Sequence, residues 1–155
     1  MYSIYTDSKA AFSGDSVIMT NDGSPILRNS VGKLLRGYNG AEWSYTHVVK
    51  SKTPQPLFEV KLADDRSLKC SLDTYFFINE NFNSLSLRNI LIHYQQFKEV
   101  QPEIYTNCIK SSDSYEYQHI VSCIAVKNDE KYTYYVDTID AAHRAFINNI
   151  LLRCW

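Results

Sequence analysis

The chain has 155 residues, 45% of them hydrophobic and 21% charged, with a formal net charge of -1. That is the composition of one globular domain with enough chain to bury a core. It excludes an electrostatic footprint for nucleic acid or an anionic membrane, and no apolar run approaches the ~20 residues of a membrane span.

Met1-Tyr2-Ser3-Ile4-Tyr5 lacks the basic start and apolar middle of a signal peptide, so the expectation is a cytoplasmic chain. Cys70, Cys108, Cys123 and Cys154 show neither a Cys-x-x-Cys pair nor metal-ligand spacing, and free thiols are expected. Twelve Tyr and seven Phe in short runs favour β structure.

Residues 2–6 read as a strand, and residues 7–10 as a polar break. A strand over 16–20 runs into an Asp22-Gly23 turn, and residues 25–28 read as a second strand. Asn29 or Ser30 caps a predicted helix with Val31, Leu34 and Leu35 on one face and Gly37 as its stop. Asn39-Gly40 is a turn signal before a strand around 43–49, and Pro54 and Pro56 mark a loop. Residues 57–63 and 67–71 alternate about Asp64-Asp65, which predicts a hairpin.

From residue 84 to 100 the period changes. Leu87, Ile90, Leu91 and Tyr94 fall at helical spacing behind Ser84 or Ser86 as cap. Strands are predicted at 103–109 and 115–126. Asn128-Asp129 then turns the chain so that 132–139 returns antiparallel. Asn148-Asn149, between two apolar runs, predicts a two-residue hairpin.

Three stretches in this order resemble a known family. Phe12-Ser13-Gly14-Asp15-Ser16-Val17-Ile18 is similar to the opening of a Hint domain, the fold of inteins and of hedgehog autoprocessing domains. Ser71-Leu72-Asp73-Thr74 resembles the intein Thr-x-x-His segment, with Thr74 where the His stands. Tyr135, Thr138, Ile139, His143 and Asn148-Asn149 resemble the C-terminal blocks. There Val136 takes the position of an Asp with Asp137 beside it, and Arg153-Cys154 falls near His-Asn.

The resemblance implies a mainly β Hint horseshoe of antiparallel hairpins with one or two short helices. It implies a mini-intein over 11–153, with no room for an endonuclease, between extein remnants at 1–10 and 154–155. The activity implied is autocatalytic, single-turnover protein splicing without a cofactor. Its partners are the flanking exteins or a complementary split fragment, with the domain a monomer.

Ala11 holds the first position, where most inteins carry Cys or Ser. That resembles class 3 inteins, in which an internal Cys on the penultimate strand attacks the N-terminal junction. Its expected place is Val136; Cys123 and Cys70 are the alternatives. His143 is the base best placed to activate a thiol, and Cys154 is the acceptor. The site residues implied are thus Ala11, Ser71, Asp73, Thr74, Val136, Asp137, His143, Arg153 and Cys154.

Joining Tyr5-Thr6-Asp7-Ser8-Lys9-Ala10 to Cys154-Trp155 gives a glutaredoxin-like opening, which points to such a host. Against the catalytic roles stand plainer ones. A strand Cys is usually a small core residue, and His143 serves as a loop residue. Trp43, His47, His93 and His119 read as structural. The alternatives are a degenerate, non-splicing Hint domain used as a binding or structural module, and an unrelated β-rich domain.

Overall fold

The computed structural model describes residues 9–78, 83–96, 105–111, 114–127, 130–140 and 142–154. The strand expected at 2–6 and the Asn128-Asp129 turn lie outside them.

Two antiparallel sheets share one core. In the smaller, β1 (Leu34–Tyr38) and β9 (Tyr134–Thr138) flank β2 (Trp43–Lys50). The larger runs β4 (Ser67–Cys70), β3 (Leu57–Leu62), β8 (Ser114–Val126), β7 (Tyr105–Ser111), β11 (Ile150–Arg153), β5 (Tyr75–Phe77), β6 (Ser84–Ser86), with β10 (Arg144–Ile147) paired to β11. β8 serves both halves of this path, pairing β7 with its first half and β3 with its second. Phe12 joins the sheets by bridging Tyr134 of β9 and Cys70 of β4.

The hairpins form where their turns can take left-handed backbone. Asp65 has φ 72°, and Asn148 and Asn149 have φ 52° and 63°, the pattern of a two-residue primed turn. Gly40 (φ 98°) closes the β1–β2 turn, where Asn39 Oδ1 accepts the N–H groups of Ala41 and Glu42, both at 2.9 Å.

Asn148 does more than turn the chain. Its Oδ1 accepts the Val17 N–H at 2.9 Å, and its Nδ2 donates to the Ser67 carbonyl at 2.8 Å. Asn148→Ala removes both and leaves their partners unpaired. A loss of about 1–3 kcal/mol is expected in chemical denaturation; an unchanged midpoint would show that water replaces both bonds.

The helix expected at 29–37 is a correction: that stretch becomes a single 3-10 turn (Leu27–Asn29) followed by β1. Ser30 Oγ donates back to the Ile26 carbonyl at 2.8 Å, and Gly32 at φ 81° turns the chain out of the helical path. Val31 and Leu34 are exposed, so the three apolar residues never shared a buried face. Gly37 lets β1 lie close on β2, since a Cβ there would sit 3.1 Å from Thr46 Cγ2. The strand expected at 25–28 reduces to a bridge at Ile26 before that turn. Residues 16–20 make separate bridges, to Ile26, Ile147, Gly23 and Gly37, in place of one ladder.

The return strand is a second correction. β9 pairs β2, with Val136 across Val48, and not β8. β9 is held between β2 on one side and Phe12, which fixes Tyr134, on the other, while β8 pairs β7 and β3 through its two halves. The helix expected at 84–100 is α1 (Leu87–Gln96), because residues 84–86 pair with β5 first; residues 97–100 lie outside the described ones. Ser86 Oγ caps α1 by accepting the Asn89 N–H at 3.2 Å.

The main core gathers Phe12, Ile18, Val60, Leu68, Cys70, Phe76, Ile90, Val136, Ile147 and Cys154. A smaller cluster of Phe77, Phe146 and Leu151 lies beside it, with Tyr38 stacked on Phe146 at 5.9 Å.

Candidate functional site

Residues 11–13 thread between β4 and β9. The Phe12 N–H donates to the Tyr134 carbonyl at 2.7 Å, and the Tyr134 N–H returns to Phe12 at 2.9 Å. On the other side the Ser13 N–H donates to the Lys69 carbonyl (3.2 Å) and the Ser71 N–H to the Ala11 carbonyl (2.9 Å). The Ala11 N–H is left facing β4's end, and Ser71 Oγ accepts it at 3.0 Å. Ala10 and Ala11 are both buried.

Ser71 opens a turn that returns at Thr74, whose N–H donates to the Ser71 carbonyl at 3.2 Å. Thr74 Oγ1 lies 3.4 Å from Ser71 Oγ and is fully enclosed. The two hydroxyls therefore form a relay ending on the nitrogen of the Ala10–Ala11 bond. A hydroxyl can donate or accept here, but Thr74 cannot titrate near neutral pH. Asp73 points out of this turn and meets Arg88 at 3.5 Å on the surface.

The same turn leads into β5, where Tyr75 lies across from Arg153 and Phe76 across from Leu152. The Arg153 guanidinium stands over the Tyr75 ring at 5.9 Å. The Cys154 N–H donates to the His143 carbonyl at 2.6 Å. His143, at φ 52°, sets Nδ1 3.2 Å from Thr138 Oγ1 on β9. Continuing the Phe12–Tyr134 register by two residues sets Ala10 across from Val136. Ala10, Val136 and Cys154 all belong to the main core. Residues 10–11 and 153–154 are thus both tied to the segment 71–75, Ala11 through Ser71 and Arg153 through Tyr75.

The thiols are held protonated. Burial is the largest cause at each. It pushes Cys154 from an ordinary 9.0 up to about 12, helped by the nearby Asp137 carboxylate. Cys108 rises to about 12 and Cys123 to about 11. Cys70 rises further still, although a hydrogen bond with Thr74 opposes the shift. Cys70 lies across from Phe12 and next to Ser71. Cys123, on β8 across from Val60, is not on the strand beside β9 as expected.

Below pH 9.0 both folded and unfolded thiols keep their protons. Above it the unfolded chain releases protons that the folded chain retains, so stability falls as pH rises from 9.0 towards about 12. Urea midpoints at pH 8 and pH 10 should differ in that direction, and Cys154→Ala should reduce the difference. Alkylation of the native chain should reach half-buried Cys123 first and Cys154 only on unfolding. Rapid native labelling of Cys154 would contradict this burial.

Sequence reasoning missed two neighbours of Asp137. His47, read as structural, places Nε2 3.7 Å from Asp137, and Lys9 Nζ lies 3.3 Å from the same carboxylate. No local signal joins residues 9, 47 and 137. Among the described residues no cluster of His, Cys, Asp and Glu could hold a metal ion.

No family model matches the chain. Over 68 residues it is 32% identical to the ribonucleoside-diphosphate reductase large subunit of Invertebrate iridescent virus 6. That match covers 44% of this chain and 7% of the viral protein. Solved structures match almost throughout. The DnaB intein of Synechocystis sp. PCC 6803 has a TM-score of 0.71 at 14% identity, covering 94% of this chain and 99% of that one. The PabCDC21-1 intein scores 0.70 at 11%, covering 94% and 98%. The gp41-1 intein scores 0.65 at 16%, covering 92% and 96%. The chain is similar to these inteins along nearly its whole length, and its fold is the mainly antiparallel β fold of Hint inteins.

Proposed function

We propose that residues 11–153 form a protein-splicing domain flanked by extein remnants at 1–10 and 154–155. The observation that carries this is the Ser71 Oγ contact with the Ala11 N–H, because that nitrogen is the leaving group of the first step. A thiol at position 136 attacks the Ala10 carbonyl carbon. The C–N bond to Ala11 breaks, and the proton given up by the attacking thiol reaches the nitrogen through the Ser71–Thr74 hydroxyl pair. The acyl group passes to the Cys154 sulfur. An Asn at 153 cyclises and frees the Cys154 amine, and that amine takes the acyl group from its own sulfur. An amide then joins Ala10 to Cys154.

This chain carries Val136 and Arg153 at two of those positions. We read it as a precursor of the internal-nucleophile, class 3 kind, held before reaction. Cys70 is the alternative initiator that lies next to the junction turn; Cys123 is the other. His143 is read as the base for the initiating thiol; its Nδ1 lies 3.2 Å from Thr138 Oγ1, and its backbone carbonyl accepts the Cys154 N–H.

Two hosts are consistent with the flanks and the match. Residues 5–10 joined to Cys154-Trp155 read as a glutaredoxin-like opening, and the viral reductase match suits insertion in a ribonucleotide reductase. The same chemistry serves one polypeptide or two complementary fragments.

The test is an intact-mass time course on the chain with a reporter after Trp155, beside a version carrying Val136→Cys and Arg153→Asn. Release of a fragment of intein mass from the altered version alone supports the reading. Release from the unaltered chain makes Cys70 or Cys123 the initiator. No reaction in either supports the second reading, a Hint domain that has kept its fold without its chemistry and serves as a binding or structural module. The enclosed, protonated thiols and the non-titrating Thr74 favour that second reading.

A further inference from the structure

The segment before Ala11 is gripped by more than its backbone. Side chains alternate along an extended segment. Ala10 points into the core beside Val136, so Lys9 falls on the outer face of β9. There its ammonium lies 3.3 Å from Asp137 Oδ1 and 4.6 Å from the centre of the Tyr135 ring. Tyr135 and Asp137 flank Val136 on the same strand. One strand therefore supplies the wall beside Ala10 and both groups that hold Lys9.

The carboxylate is itself positioned. The Asp137 carbonyl accepts Thr46 Oγ1 at 2.7 Å, and its Oδ2 lies 3.7 Å from His47 Nε2. On the other side of Lys9 is a cavity of about 510 Å³ against Ala11, whose lining includes Lys50, Lys52 and Gln55. Among the described residues lining that cavity none is acidic, and Asp137 is the carboxylate that Lys9 meets.

We propose that Asp137 and Tyr135 form a subsite that selects a cationic side chain at position 9 of the flanking segment and thereby holds the Ala10–Ala11 bond in place. This rests on the splicing reading for its consequence, but the grip itself does not. A cation over an aromatic face and beside a carboxylate gains from both. An acid at position 9 would meet Asp137 as a like charge, and a short polar residue would reach neither group. Asp137 thus acts as a positioning residue: it touches the flank and not the reacting atoms.

The test uses Lys9→Glu, Lys9→Arg, Asp137→Lys and the Lys9→Glu/Asp137→Lys pair. In the version carrying Val136→Cys and Arg153→Asn, Lys9→Glu should slow cleavage at Ala10–Ala11 roughly tenfold. Lys9→Arg should stay close to the parent, and the charge-swapped pair should recover most of the loss. A Lys9→Glu rate equal to the parent's, or a pair no faster than the slower single variant, overturns the proposal.

Amide hydrogen exchange at Ala11 reads the grip without any reaction. In the chain with Val136 and Arg153 intact, exchange should quicken in Lys9→Glu and slow again in the pair. The Val60 amide, in the middle of β3, serves as the control for global opening. If no version splices while Ala11 exchange follows the charges, the splicing reading fails and the subsite stands. If splicing proceeds while neither rate nor exchange follows them, the subsite fails alone.

Discussion

Ser71→Ala, placed in the version carrying Val136→Cys and Arg153→Asn, is expected to slow cleavage of the Ala10–Ala11 bond by about a hundredfold. The hydroxyl removed is the group 3.0 Å from the Ala11 nitrogen. As the bond breaks, that nitrogen gains electron density and needs a proton. Without Ser71 the next hydroxyl, Thr74 Oγ1, has no intermediary, since its contact with the relay is Ser71 Oγ at 3.4 Å. Single-turnover rates from intact mass measure the effect. The loss should fall on this step and leave Asn cyclisation at 153 unchanged, because Ser71 contacts the first junction only through Ala11. Equal slowing at both junctions would mean that Ser71 supports the fold and not the relay. Ser71→Thr, which keeps the hydroxyl, should retain most of the rate.

The largest stability effect should come from Phe12→Ala. Phe12 is fully buried, and its backbone bridges β9 and β4, so its ring fills the space where the two sheets meet. Truncation leaves a cavity there and should cost about 3–5 kcal/mol in denaturant unfolding. That is a large share of the ~5–15 kcal/mol of a typical domain. Ile139→Ala is the control: Ile139 is 64% exposed, and its loss should stay within about 0.5 kcal/mol. A loss at Phe12 no larger than this would mean that its ring contributes no core packing.

These two residues also mark what the sequence made legible. Local chemistry was readable at two of the hairpin turns. Asn148, Asn149 and Asp65 take positive φ, and both hairpins form there. Ser86 caps α1 as expected. Residues 29–37 misled because Val31, Leu34 and Leu35 match a helical stripe, while the deciding features are Gly32's left-handed turn and β2 as a partner. β9 misled for a similar reason: proximity in sequence favoured β8, but β9 pairs β2 on one side and Phe12 on the other.

The site divides in the same way. Ser71, Thr74 and His143 were reached through resemblance to a family pattern, and the fold brings Ser71 and Thr74 to Ala11 and His143 to Cys154. Asp73 belongs to the same motif but turns outward to Arg88. Lys9, His47 and Asp137 are far apart along the chain and carry no shared pattern, so only their convergence in space shows them as a group.

In the proposed splicing reaction, Ala10–Ala11 and Arg153–Cys154 are the two bonds that are exchanged. Tandem mass spectrometry of the ligated product tests it most directly, using the version with Val136→Cys and Arg153→Asn and a reporter after Trp155. The expected product is a peptide in which Ala10 is joined by an ordinary amide to Cys154 and Trp155, with residues 11–153 released as one fragment. A product joined at any other pair of residues, or no joined peptide while the folded chain persists, would contradict it.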